Sequence, residues 1–327
     1  MKSVSGDDAL FYLHIDGKLA GLCALHVDDF LMGGNDSFHK LIDENLAKRF
    51  KFGKIETENF KFTGLNIRQT KDGIFVDQNE YIQSIVPIKL DKFVEKETKL
   101  SKEKFAQYRA LTGQLNWAAE NTRPDIAFDT RELATKNKDA SYQENDVTLK
   151  YAKLGKIDKL KIVAYTDSSY RNAENKEKSV GGRFIGLVNA NGVCAPLAWK
   201  SKTIQQVCKS VKTAETRSLE RGMEDSIYLV RIIKEIYSGK VSKAQLPVII
   251  NIDSKTLLDS LNSSKQIDEK TVRHLIAWIK EQRDEERTIQ SINWVKSAEQ
   301  VADVFTKKNV KTDIILTVVT EGNLMVH

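Results

Sequence analysis

Between Lys161 and Tyr165 apolar side chains fall on both faces of an extended chain, Ile162 and Ala164 on one and Val163 and Tyr165 on the other. That is the pattern of a strand buried inside a sheet. The run stops at a carboxylate, Asp167. Residues 248–253 repeat it, an apolar stretch closed by Asp253. The pattern around these two predicts strands over 160–165, 181–188, 193–199, 248–253 and 289–295, with Asn191-Gly192 as a hairpin turn between the second and third. Leu219, Met223, Ile227, Val230, Ile233 and Tyr237 form one stripe of a helix over 213–237. Two more helices separate the last two strands. Ser297 and Gln300 have the spacing of a capping box, which predicts a final helix carrying Asp303.

The first half is patterned as smaller units. Residues 18–30 are apolar up to Asp28 and Asp29, and Phe30, Leu31 and Met32 resume before Gly33-Gly34, which predicts a β-hairpin with the aspartates at its turn. A helix over 36–50 follows, capped by Asn35 or Asp36, with Phe38, Leu41, Ile42, Leu46 and Phe50 on one face. Residues 60–76 form a second hairpin about Lys71-Asp72-Gly73, closed by a short helix over 79–86. The Lys- and Glu-rich stretch 87–104 reads as a solvated linker. A helix then runs over 102–120, its stripe formed by Phe105, Tyr108, Leu111, Leu115, Trp117 and Ala118. Thr122-Arg123-Pro124-Asp125 opens another, with proline at the first helical position and an acid in the first turn.

Composition narrows the function classes. Fifty-one basic against 45 acidic residues give a net charge of +6, a mild excess that suits a polyanionic partner without requiring one. Cys23, Cys194 and Cys208 are too few and scattered for a disulfide framework or a zinc site, so a reducing compartment is expected. With no run of 18 apolar residues and no signal-peptide core, the chain is expected to be soluble, unsecreted and cytoplasmic or nuclear, with no membrane partner. Candidate chemistry lies in the carboxylates. Asp167 and Asp253 end buried strands, and Glu215, four residues before Leu219, extends the apolar stripe and so points at the sheet. A carboxylate there is costly unless paired or bound to metal. Such groups suit Mg²⁺, which prefers hard oxygen ligands.

Five patches in order, HVDDF at 26–30, FTGLNI at 62–67, DQNEYIQSI at 77–85, YRALTGQLNW at 108–117 and TRPDIAF at 122–128, resemble the reverse transcriptase of copia-type retrotransposons. YTDSSY at 165–170, TAETRSL at 213–219, VIINIDS at 248–254 and VADVFTKK at 301–308 resemble the ribonuclease H domain that follows it. The resemblance implies a fragment of a copia-type Pol polyprotein with an α+β / α/β fold. A partial reverse-transcriptase palm and connection would precede a ribonuclease H-like mixed five-stranded sheet with flanking helices. It divides the chain into 1–98 (palm hairpin onward, fingers absent), 99–157 (helical connection), 158–310 (ribonuclease H-like) and 311–327 (C-terminal tail).

The same resemblance implies the site. Asp167, Glu215, Asp253 and Asp303 would hold two Mg²⁺ ions, with Mn²⁺ able to substitute. Asp167 would bridge both ions, Glu215 and Asp253 complete one, and Asp303 share the other. The reaction implied is hydrolysis of the RNA strand of an RNA–DNA hybrid, chosen through its 2′-hydroxyls. Asp28 and Asp29 correspond to acids that help bind polymerase metals. Polymerase activity is expected to be lost or to need the missing N-terminal part, and without the fingers part of the apolar face around Leu22, Leu25 and Phe30 should lie open. Expected partners are the hybrid and the missing fingers or other element proteins. His26, Ser169, Thr213 and Ser254 depart from residues common in the family, but none is one of the four presumed ligands. These departures carry the alternative, a catalytically inactive element remnant that at most binds nucleic acid.

Overall fold

A computed structural model describes residues 1–50, 53–88, 101–135, 146–171, 178–239, 246–264 and 269–324. Strands β1 (Lys2–Val4), β2 (Asp7–Ile15), β3 (Lys18–His26) and β4 (Asp29–Gly34) form an antiparallel sheet in chain order. The expected hairpin is β3–β4. Helix α1 (Asp36–Asn45) starts where the pattern placed it, with Asn35 accepting a hydrogen bond from the Phe38 amide, and ends short of residue 50. Its Phe38 and Ile42 pack on Ala20 and Cys23, with Phe30 alongside. The opposite face of the sheet, through Val4, Tyr12 and Leu22, packs against Ile232 and Ile236. Leu22, Leu25 and Phe30 are half-buried, and Val27 beside them at the hairpin tip is 81% exposed.

A second sheet contains β5 (Asn59–Phe62), β6 (Leu65–Thr70) and β7 (Gly73–Asp77). The β6–β7 hairpin is the expected one. The pattern missed β5 because its turn, Thr63-Gly64, has both residues at positive φ (50° and 82°), and threonine gives no sign of that in sequence. Next come α2 (Asn79–Gln83), α3 (Lys102–Asn121), a 3₁₀ turn over Pro124–Ile126 and α4 (Ala127–Thr135). The expected linker falls largely outside the described residues. Strand β8 (Thr148–Tyr151) then pairs antiparallel with β7 and completes the second sheet. It lies within 99–157, expected to be helical. Leu149 carries it into the same core as the central strand of the third sheet.

That third sheet is built from β9 (Lys161–Ser169), β10 (Val180–Val188), β11 (Cys194–Thr203), β12 (Val248–Ile252) and β13 (Ser291–Trp294), in the spatial order β11-β10-β9-β12-β13. The β9–β10–β11 pairings are antiparallel, whereas β12 runs parallel to both β9 and β13. Helix α5 (Val211–Ser238) follows β11, and α6 (Lys255–Asn262) and α7 (Lys270–Lys280) connect β12 to β13. This is the ribonuclease H-like mixed sheet with flanking helices. On one face Ile162, Ala164, Ile185 and Ile250 pack with Leu219 and Met223 of α5 and with Val272 and Ile276 of α7. On the other, Val163, Tyr165 and Phe184 meet Val301 and Phe305. Each fully buried Val, Leu, Ile, Met or Phe among them contributes roughly 1.5–3 kcal/mol.

Two expectations fail near the C-terminus. Ser297 and Gln300 open no α-helix; the chain makes 3₁₀ turns over Ser297–Glu299 and Val301–Phe305. Gln300 is buried, its side chain accepting from the Ala302 amide and donating to the Thr166 carbonyl, so a cross-chain bond replaces the capping box. The stretch expected as a C-terminal tail holds α8 (Asp313–Glu321), which buries Ile315, Val318 and Val319 in the second core. No described helix is long and apolar enough to cross a membrane.

Candidate metal centre

The site forms where β9 and β12 end. Both strands point the same way, so their C-terminal residues lie side by side. Asp167 is on β9 and Asp253 follows β12 directly. Asp303 arrives from the 3₁₀ turn over Val301–Phe305, which closes onto the sheet because its partner in β10 is glycine. A Cβ at Gly182, the register partner of Asp167, would stand 2.6 Å from Thr306 Cγ2 and 2.7 Å from Phe305 Cβ. Likewise, a Cβ on Gly222 of α5 would meet Thr166 Cγ2 at 2.3 Å, so this glycine lets the helix lie tight against β9.

Carboxylate oxygens of Asp167, Asp253 and Asp303 lie within 4.8 Å of one another. Asp167 is 1% exposed. It accepts from the Thr306 hydroxyl, and its backbone carbonyl accepts from Ser218 Oγ at 2.6 Å. Ser297 Oγ donates to Asp253 Oδ2 at 3.3 Å, and Trp294 Nε1 donates to the Asp253 carbonyl at 3.0 Å. Glu215, on the first turns of α5, is buried beside this triad but outside the 4.8 Å set. The structure thus brings three of the four expected acids into one cluster and places the fourth at its edge.

The electrostatics follow from that burial. Desolvation pushes the Asp167 carboxyl up to about 7, against the pull of Lys307 and Thr306. Burial, then the neighbouring Asp167 charge, drives Glu215 well above its ordinary value. Asp303 is raised by burial, with Lys307 opposing. Three carboxylates this close, Asp167 buried and Asp253 and Asp303 half-buried, favour a cation, and the donors are all hard oxygens, which suits Mg²⁺ or Mn²⁺. The acidic triad can coordinate a divalent metal.

Asp28 and Asp29 sit elsewhere, exposed at the tip of the β3–β4 hairpin. Among the described residues they belong to no cluster of three metal-ligating side chains. Sequence reasoning missed Thr306 and Lys307, which contact the triad directly. The one available signal was spacing, since Lys307 stands four residues after Asp303 and its amide bonds the Asp303 carbonyl at 3.0 Å.

No protein-family profile matches the chain. It is 26% identical over 266 residues to the retrovirus-related Pol polyprotein from transposon RE1 of Arabidopsis thaliana, covering 72% of this chain and 17% of the polyprotein. It is 24% identical over 216 residues to the putative transposon Ty5-1 protein of Saccharomyces cerevisiae, covering 56% of this chain and 66% of that protein. The chain therefore spans a small part of the plant polyprotein and about two thirds of the yeast one. Among solved structures, it aligns with LC11 ribonuclease H1 in complex with RNA/DNA hybrid at 17% identity, covering 45% of this chain and 94% of that one with a TM-score of 0.33. The foamy viral protease-reverse transcriptase dRH in complex with double-stranded DNA aligns at 13% identity, covering 84% of this chain and 46% of that one with a TM-score of 0.47. Similarity at these scores adds nothing to the strand order described above. The chain is distantly similar to retrotransposon Pol polyproteins, and it carries an acidic triad on a ribonuclease H-like sheet.

Proposed function

We propose that this chain is a copia-type retrotransposon-derived reverse transcriptase/ribonuclease H fragment. Its chemistry would be metal-dependent endonucleolytic hydrolysis of the RNA strand of RNA–DNA hybrids. The observation that carries this reading is the convergence of Asp167, Asp253 and Asp303 within 4.8 Å at the ends of two parallel strands, with Glu215 buried beside them. Asp167, Glu215, Asp253 and Asp303 would hold Mg²⁺, with Mn²⁺ able to substitute. Bound divalent ions would supply an activated water and stabilise the leaving oxygen of an in-line displacement. The protein orients the ligands: Thr306 fixes Asp167, Ser297 steadies Asp253, and the Gln300–Thr166 bond seats the turn that carries Asp303. The nuclease unit would be residues 158–310, with 1–98 and 99–157 the palm and connection remnants. Asp28 and Asp29 would bind a polymerase metal only together with a further acid.

The test is direct. Purified protein with Mg²⁺ or Mn²⁺ should cut the RNA strand of a labelled hybrid, leaving 3′-hydroxyl and 5′-phosphate ends. Asp167→Asn and Asp253→Asn should abolish cutting while unfolding stays cooperative and neither variant is markedly less stable than the parent. A parent that binds hybrid but never cuts it would sink the nuclease reading and leave the inactive, nucleic-acid-binding alternative.

A further inference from the structure

Lys307 places one ammonium on all three acids of the triad. Its Nζ lies 2.7 Å from Asp303 Oδ1, 3.7 Å from Asp167 Oδ2 and 4.0 Å from Asp253 Oδ2. Three carboxylates this close repel one another, and a neighbouring cation relieves that repulsion. The Lys307 side chain is 37% exposed while that of Asp167 is 2% exposed, so the cation can leave for water but the anion cannot. A lysine suits such a role, being a compact charge on a flexible stem with no fork geometry to lock it in place.

We propose that Lys307 is a resident counter-cation. It holds the triad together in the metal-free protein and is displaced when a divalent ion binds. This rests on the metal-nuclease reading, and it makes Lys307 a positioning residue that tunes metal affinity.

The experiment titrates the full chain with Mn²⁺ alone, without nucleic acid, by calorimetry, and follows thermal unfolding in chelator and in excess Mn²⁺. Lys307→Met should bind Mn²⁺ roughly two- to fivefold more tightly than the parent, since no ammonium must be displaced. It should also unfold at a lower temperature in chelator and gain more from added Mn²⁺. Lys307→Arg, which keeps the charge, should bind Mn²⁺ no more tightly than the parent. Should Lys307→Met fail to fold, Lys307→Gln, of nearly the same reach but without charge, should show the same tightening. Unchanged or weaker Mn²⁺ affinity in the neutral variant would overturn the proposal. So would the absence of Mn²⁺ binding in both proteins, because an ammonium that nothing displaces is a structural ion pair. If the affinities differ as expected but neither protein cuts hybrid, the nuclease reading falls and the counter-cation stands.

Discussion

Gly182→Ala should separate the triad without touching any of its members. The added Cβ would lie 2.6 Å from Thr306 Cγ2, 2.7 Å from Phe305 Cβ and 3.0 Å from the Ala302 carbonyl oxygen, where ordinary contact needs at least 3.4 Å. Phe305 is fully buried and Thr306 is tied to Asp167, so neither can swing aside alone. The turn must therefore retreat as a body by roughly 0.8 Å, and overpacking of this kind costs about 1–3 kcal/mol. Removing a glycine from a strand gains only about 0.4–1 kcal/mol through the unfolded chain, so the net effect is a loss. Asp303 and Lys307 travel with the turn, away from Asp167. A misplacement near 1 Å can lower a reaction rate about a hundredfold. Urea unfolding should show the stability loss, and hybrid cleavage should fall far more than the unfolded fraction explains. Gly113→Ala is the control: it lies exposed in α3 with open space at its Cβ, and it should stabilise by about 0.5–1 kcal/mol without affecting cleavage. A Gly182→Ala protein with parental stability and cleavage would refute the view that this glycine seats the turn.

In chelator, the parent should lose stability as pH rises from about 4 to about 7. The folded-state pKa of Asp167, about 7 against an ordinary 3.8, means the folded protein keeps a proton that the unfolded chain releases in that window. Comparing urea midpoints at pH 5 and pH 7.5 should show a shallower fall in Asp167→Asn, and equal slopes in the two proteins would contradict the assignment. Glu235→Ala should loosen the first sheet, because the buried Glu235 carboxylate accepts from the Ser5 amide at 2.9 and 3.0 Å and from its hydroxyl at 3.1 Å. The expected cost is about 2 kcal/mol, with faster proteolysis within residues 1–34 and unchanged cleavage of hybrid, and protection equal to the parent's would show the clasp to be dispensable.

Local pattern was enough to reveal the elements of the half that builds the third sheet. Both-face apolar runs marked β9 and β12, the Asn191-Gly192 turn marked the β10–β11 hairpin, and a stripe at helical spacing marked α5, because each signal lies within a few neighbouring residues. The acids at the two strand ends and Glu215 on the inner face of α5 were legible for the same reason. What gathers them was not. Asp303 reaches Asp167 through a 3₁₀ turn that the Ser297-to-Gln300 spacing made look helical, and the turn is fixed by a bond from Gln300 to the distant Thr166 carbonyl and by the space at Gly182. Strand β8 needs β7 as a partner, and α8 finds its place only against a core assembled from distant parts of the chain, so neither announced itself by period. Lys307 looked like one basic residue among 51. Its meaning comes from three carboxylates that meet only once parallel strands, a helix and a turn have packed, because pairwise electrostatics depends on distances that the chain order does not contain.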